Sequence, residues 1–317
     1  VIELKRYKKL MKIYLSNINE SWVVDRFRND WYLNNKDIST NKINKADVIW
    51  IISPWLWKKI PKRHIKKHKV VCSIYHIDFN KFNKNDELEF RNRDQFVDLY
   101  HVISEKTKIH LQQLTDKKII SIPFWVDQNV WFDIPDKKQL RDKYNFNEED
   151  YLIGSFQRDT EGHDLKSPKL IKGPDVFLDI VKRLFVENKN LKVVLTGTRR
   201  NYLIDNFEKL NIPYVYYEMI DLTELNELYN ILDLYLVTSR LEGGPQAILE
   251  CAISRTPVLS TDVGIASEIL NNKSIFNIDE FELAKVDIEY AYKNSLRFTI
   301  PKGMDRYIEM FNEVYES

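Results

Sequence analysis

Residues 233–250 read DLYLVTSRLEGGPQAILE, and the fold and the chemistry can both be worked outward from them. Leu234 to Val237 form a short apolar, aromatic-bearing run of the kind that makes a buried parallel strand, and such a strand delivers the residues after it to a ligand crevice. Thr238 to Glu242 are therefore expected at that crevice. Gly243 and Gly244 allow a sharp turn and close backbone approach, and Pro245 suits the first turn of a following helix, where its missing N–H costs nothing. The free amides and positive dipole end of that helix favour a phosphate. Glu250 lies eight residues beyond Glu242, about 12 Å along a helix at 1.5 Å per residue. Two carboxylates that flank one glycosidic bond stand about 5 to 9.5 Å apart, so the pair fits the two ends of a sugar nucleotide better than a hydrolase's acid and base. Gln246 shares the helical face of Glu250, while Ala247, Ile248, Cys251 and Ala252 supply the buried face.

Two glutamates separated by seven residues, in EGGPQAILE, resemble the signature of retaining GT-B glycosyltransferases, notably glycosyltransferase family 4. That resemblance implies an α/β fold of two Rossmann-like, doubly wound parallel-sheet domains facing a central cleft. The implied activity is that of a hexosyl- or related glycosyltransferase (EC 2.4), with a nucleotide diphosphate sugar as donor and a glycan, lipid-linked or other hydroxyl acceptor. Two alternatives stay open: a non-catalytic nucleotide-sugar-binding protein and a GT-B nucleotide-sugar epimerase.

The 317 residues, 44% of them apolar, suffice for two domains of about 150 residues each. No apolar run of about 18 residues occurs and no signal peptide is visible. Cys72 and Cys251 both lie in apolar surroundings and are expected buried and reduced, which suits a cytoplasmic setting. Net charge is +1, but residues 1–135 carry 25 Lys/Arg against 16 Asp/Glu while the remainder carries 23 against 31, so the halves are expected to meet different partners. The seven tryptophans fall at 22, 31, 50, 55, 57, 125 and 131.

Apolar runs at 12–16, 47–52, 69–75, 99–104 and 118–122 predict strands, with helices over 20–32, 87–97 and 105–114 between them. This alternation is that of a parallel sheet. Residues 1–10 precede the first strand and Met11, and read as an upstream extension. The stretch IPFWVDQNVWFDIP, 122–135, breaks the alternation with two prolines, dividing a domain over 11–134 from one over 135–300. It is similar to the interdomain stretch of family 4 enzymes at Pro123, Val126, Asp127 and Phe132, with Trp125 in place of a small residue. Strands then follow at 151–156, 192–197, 214–217, 234–237 and 257–261. The helix beginning at Gly173 carries Val176, Phe177, Ile180, Val181, Leu184 and Phe185 as an apolar stripe. Further helices are expected up to Leu210, over 223–231 and from Gly264, and a final one over 301–317, which in GT-B proteins returns to the first domain.

The resemblance also assigns roles. Arg158 and Lys172-Gly173 match the basic pair that neutralises the donor diphosphate, as leaving-group stabilisation requires without a metal. Thirteen residues separate Arg158 from Lys172, more than the family usually has, and Lys166 or Lys169 could share the role. Glu242 would position the sugar, Glu250 would bind the ribose hydroxyls, and Ile220 matches a position that reads the base through its backbone. His76, at the end of the third strand, matches a histidine placed near the donor sugar, with His101 as a rival. No Asp-x-Asp pair occurs and no His/Cys ligand cluster is visible, so no metal is expected. The first-strand loop, SNINESWVVDRF, lacks the glycines many family members carry. The basic segment KKIPKRHIKKHK, 58–69, could rest on an anionic membrane surface or be a solvated face. No nucleic-acid-binding motif accompanies it.

Overall fold

The computed structural model describes residues 10–16 and 23–317, so the extension read at 1–9 and most of the first-strand loop lie outside the described residues. The chain divides into two units, one running to Trp125 and including Pro301–Ser317, the other spanning Val126–Ile300. The division falls inside the 122–135 stretch.

The first unit holds five parallel strands, β1 (Ile13–Leu15), β2 (Val48–Ile51), β3 (Lys69–Ile74), β4 (Leu99–Val102) and β5 (Ile119–Ser121), in the order β1-β2-β3-β4-β5. Near-continuous apolar runs make these strands because helices cover both faces of the sheet. Ile49, Ile51, Val70, Cys72, Ile74, Tyr100 and Val102 pack with Phe90 of helix Lys84–Asp94 and Leu111 of helix Glu105–Leu111. The opposite face is an aromatic core. Trp50 meets Trp31 of helix Val23–Asn34 and Tyr307 and Phe311 of helix Lys302–Glu316, with Phe124 and Trp125 against them. Most of the tryptophans in the first half of the sequence are thus core residues.

A relay of hydrogen bonds crosses that core. Trp50 Nε1 donates to Ser73 Oγ at 2.8 Å, Ser73 Oγ lies 2.8 Å from His101 Nδ1, and His101 Nε2 lies 2.8 Å from the Ile122 carbonyl. A carbonyl can only accept, so Nε2 carries the proton, Nδ1 accepts from Ser73, and the imidazole is neutral. Burial drives its pKa down to about 4, against the opposing pull of the Ile122 bond. His101 is therefore structural, which removes it as the rival of His76.

The second unit holds β6 (Tyr151–Ser155), β7 (Leu191–Thr196), β8 (Tyr214–Tyr217), β9 (Leu234–Val237), β10 (Val258–Thr261) and β11 (Ile275–Phe276), all parallel, in the order β11-β10-β9-β6-β7-β8. The chain starts at β6, winds outward to β8, then returns to β9 on the other side. The reversal between β6 and β9 is the topological switch point at which doubly wound sheets bind ligands. The 122–135 stretch folds into this unit from Val126 onward. Val126 exchanges backbone hydrogen bonds with Phe298 and Ile300, Trp131 is buried, and the side-chain amides of Asn226 and Asn230 hold the backbone of Phe132 and Ile134.

Several boundaries differ from expectation for local reasons. The helix expected over 87–97 starts at Lys84, because Asn83 and Asp86 form a capping box three residues earlier. The first helix runs Val23–Asn34, with its expected start at 20–22 outside the described residues. Helix Lys137–Lys143, capped by Asp136, helix Ile288–Ser295 and strand β11 were not foreseen. Cys72 and Cys251 are free and buried, and burial raises the Cys72 thiol to about 11.

Candidate functional site

At the switch point the sequence after β6 and the sequence after β9 come together over one glycine. Gly173 has φ +63°, and a Cβ there would lie 1.8 Å from the Thr238 carbonyl oxygen. Only glycine lets the Lys172 turn pass this close to the end of β9. Thr238 Oγ1 donates to the Gly173 carbonyl at 2.8 Å. Helix Pro174–Glu187 begins at the next residue, with proline in its first position. Arg240 fixes the same junction from the other side. Its backbone N–H reaches the Ile171 carbonyl at 2.9 Å, and its guanidinium grips both oxygens of Asp175 at 2.8 and 2.7 Å. Burial works against the ionised Asp175, but Arg240 outweighs it and holds the carboxyl below its usual range.

This packing delivers Lys172 to Glu242. The two form a half-buried ion pair, Lys172 Nζ to Glu242 Oε1. Ser239 Oγ stands 3.2 Å from the same carboxylate oxygen and 3.3 Å from Gln157 Oε1, while Gln157 Nε2 donates to the Lys172 carbonyl at 2.9 Å. Lys169 joins the group electrostatically. Burial, then Arg158 and Lys172, push its ammonium down to about 8, partly opposed by Glu161 and Glu242. Arg158 and Lys172 thus stand close enough to Lys169 to disfavour its charge, and cations grouped in this way are arranged for an anion. The long segment between Arg158 and Lys172 is tied down beneath by Asp159, whose backbone meets Arg199 and Lys169 and whose carboxylate lies 3.4 Å from Arg200 Nε. Both side chains are almost fully buried, and burial raises Asp159 to about 6 despite Arg200.

The Gly-Gly turn makes the expected close backbone approach, with the loop after β10. Neither Gly243 nor Gly244 adopts a positive φ; that conformation belongs to Gly264, at +50°, where a Cβ would lie 2.5 Å from the Gly243 carbonyl. The close approach is thus secured by the partner loop after β10. The helix spans Gln246–Ile253, with Pro245 at its N-cap position and outside its first turn. Because Glu242 to Pro245 is not helical, the 1.5 Å rise does not apply to that part of the interval.

Glu250 is 6% exposed, so it does not share a solvated face as the helical spacing implied. Its Oε2 accepts from Tyr229 Oη at 3.0 Å. Tyr229 is buried among Trp131, Phe156 and Tyr235. Ile220 is half-buried against the same core, and Gln246 is partly exposed. The structure therefore gathers Lys172, Gly173 and Glu242 tightly, leaves Arg158 exposed with an electrostatic link to Lys169, and places Gly243 to Glu250 on the adjoining turn and helix. His76 belongs to the first unit, exposed just beyond β3, where it lines a pocket with Trp55, Lys81 and Arg93. Gln157, Ser239 and Tyr229 were not singled out from sequence. Gln157 and Ser239 follow strand ends as Arg158 and Glu242 do, a signal that would have found them. Tyr229 lies 21 residues before its partner, with no local signal. Among the described residues, no three His, Cys, Asp or Glu side chains gather as a metal site, and no helix is long and apolar enough to cross a membrane.

A model of the glycosyl transferases group 1 family matches residues 136–295, just over half of the chain. The chain belongs to that family. Among solved structures, HepE of Anabaena in complex with UDP-glucose superimposes with a TM-score of 0.71 at 14% identity, covering 96% of this chain and all of that one. Sucrose-phosphate synthase of Thermosynechococcus elongatus gives 0.70 at 10% identity, over 95% and 81% of the two chains. TarM of S. aureus, solved with Fondaparinux, alpha-GlcNAc-glycerol and UDP, gives 0.61 at 15% identity, over 92% and 58%. These likenesses establish a shared two-domain GT-B fold. Among curated protein sequences none matches.

Proposed function

We propose that this glycosyltransferase moves a sugar from a nucleotide diphosphate donor to a hydroxyl acceptor with retention of configuration and without a metal. The observation that carries this is the Lys172–Glu242 pair, set on Gly173 at the switch point with Arg158 and Lys169 beside it. The cations and the first turn of helix Pro174–Glu187 would hold the diphosphate and stabilise its charge as it leaves. Glu242 would then exchange part of its ion pair for the donor sugar's hydroxyls. Glu250, already oriented by Tyr229, would take the ribose hydroxyls, with Ile220 beside the base and Gly243 to Gln246 lining the turn between them. The acceptor oxygen bonds to the anomeric carbon as the carbon–phosphate-oxygen bond breaks. The acceptor proton passes to the departing phosphate oxygen, so no protein base is required, and the family resemblance gives His76 a role at the donor sugar.

The test is a panel of nucleotide sugars with saccharide acceptors, scoring nucleotide diphosphate release and the anomeric configuration of the product by NMR. Acceptor-dependent release that persists in EDTA is expected. Inhibition by chelator reversed by manganese would overturn metal independence. Conversion of the donor without acceptor would favour an epimerase, and binding without turnover a non-catalytic protein. The exposed Lys59, Lys62, Arg63, Lys66 and Lys67 support docking of segment 58–69 on anionic membranes, which equal sedimentation with anionic and neutral liposomes would refute.

A further inference from the structure

Of the pocket at the C-terminal end of β3, the glycosyl transfer reading uses only His76 and leaves the rest unassigned. It encloses about 350 Å³ wholly within the first unit, the lower end of the range for ligand sites, about 300 to 1,000 Å³. Its lining mixes acids and bases. Asp78 accepts from the Asn80 N–H at 3.1 Å, Asp86 accepts from the Asn83 N–H at 3.0 Å as part of a helix cap, and Glu89 is paired with Lys58 at 2.8 Å and reached by Trp57 Nε1 at 3.4 Å. Each carboxylate is thus committed to the fold.

Arg93 is not. It is 7% exposed and its Nε is closed off from solvent without a hydrogen-bond partner; the carboxylate that feels its charge, Glu89, is already held by Lys58. What supports the guanidinium is the face of Phe90, 5.1 Å from its carbon to the ring centroid. A cation–π contact offsets only part of the desolvation of a buried charge. The exposed Lys81 and His76 stand at the same pocket, and Trp55, 41% exposed, offers an aromatic surface at its mouth. A buried cation short of a partner, two further bases and an aromatic surface suit a sugar ring that carries an oxyanion.

We propose that this pocket binds an acidic sugar, through Arg93 against its carboxylate or phosphate and Trp55 against its ring. In the context of the glycosyl transfer reading, on which this role rests, the acidic sugar is part of the acceptor. A planar guanidinium supplies two parallel N–H donors to such a group.

Titration of the full chain with D-glucuronate, D-glucose 6-phosphate and D-glucose, by calorimetry or ligand-observed NMR, tests it. At least one acidic sugar should bind about tenfold or more tightly than glucose, as one charge-assisted contact provides, and the preference between the two identifies carboxylate or phosphate as the recognised group. Arg93→Met should reduce that affinity to the level of glucose, and Lys81→Ala, at an exposed position, should weaken it several-fold. Equal binding of all three sugars, or acidic-sugar affinity unchanged in both variants, overturns the proposal. Should Arg93→Met fail to fold, Lys81→Ala decides. Nucleotide diphosphate binding is measured on the same samples. Nucleotide binding with no acidic-sugar preference removes this inference and leaves the donor reading standing; an Arg93-dependent preference without nucleotide binding upholds the pocket and removes the donor reading.

Discussion

Gly173→Ala is the substitution that presses hardest on the site. The residue sits at φ +63°, and a Cβ would stand 1.8 Å from the Thr238 carbonyl, whereas side-chain carbons essentially never come closer than 3.0 Å. The Lys172 turn or the end of β9 must therefore retreat by at least 1.2 Å, the difference between those distances. The left-handed backbone costs about 1–2 kcal/mol and overpacking about 1–3 kcal/mol, together about 2–5 kcal/mol. In a domain of this size that lowers Tm by about 4–20 °C. The effect on catalysis is expected to be larger still, because the same retreat separates Lys172 from Glu242, and a misplacement of about 1 Å can cost about a hundredfold in rate. Differential scanning calorimetry and kcat/KM for nucleotide diphosphate release measure the two losses. Gly162→Ala is the control: its φ is +76°, but a Cβ there would have only Asp164 Oδ1 nearby, at 3.4 Å. It should cost about 1–2 kcal/mol of stability and leave kcat/KM near wild type. Gly173→Ala retaining kcat/KM within about threefold of wild type would refute the reasoning that this contact sets the donor site.

Three further outcomes are expected. With its pKa near 8, Lys169 should lose its charge between pH 7 and 9, so nucleotide diphosphate affinity should fall over that range in the wild type and less steeply in Lys169→Met; parallel pH profiles would exclude it from the site. Glu250→Gln keeps a partner for Tyr229 but removes the charge, and should weaken nucleotide diphosphate binding about ten- to a hundredfold, as for a hydrogen bond to a charged group, with a deoxyribose analogue affected less; unchanged affinity by calorimetry would count against the ribose contact. His101 has a folded pKa near 4, below the ordinary 6.5. The unfolded chain therefore protonates first, and stability present above pH 6.5 is lost as pH falls toward 4, at up to about 1.4 kcal/mol per pH unit. Urea unfolding at pH 7 and 5 should show a shallower acid dependence in His101→Gln, and an equal slope would refute the assignment.

The parallel strands were legible because a sheet covered on both faces writes itself as apolar runs, and Val48–Ile51 and Leu234–Val237 are such runs. Lys172, Gly173 and Glu242 were legible as a set through the family resemblance, which places each at a strand end or a helix start. The exposure of Glu250 was misjudged because helical spacing says which residues share a face but not what covers that face; here Tyr229 from another helix does. The close backbone approach read at Gly243 and Gly244 is present, but the glycine with positive φ that permits it is Gly264, since either loop of a close pair can carry the glycine. Helix Lys137–Lys143 is short and highly charged, and its Asp136 cap is visible only once the turn is formed. Arg93 gave no signal at all, since a shortage of partners is a property of three-dimensional neighbours.

The Trp50–Ser73–His101 relay has a consequence for how the first sheet assembles. Parallel strands have no hairpin to set their alignment, and a slip of one residue turns every side chain to the opposite face. With β3 aligned, Ser73 is opposite His101 and Trp50 is one strand away. Displaced by one residue, β3 would present Cys72 or Ile74 there, leaving an indole N–H and an imidazole nitrogen without partners in an apolar core. Three residues scattered over 52 positions of sequence thus act as a registration pin, telling the central strands of the sheet where to stop sliding.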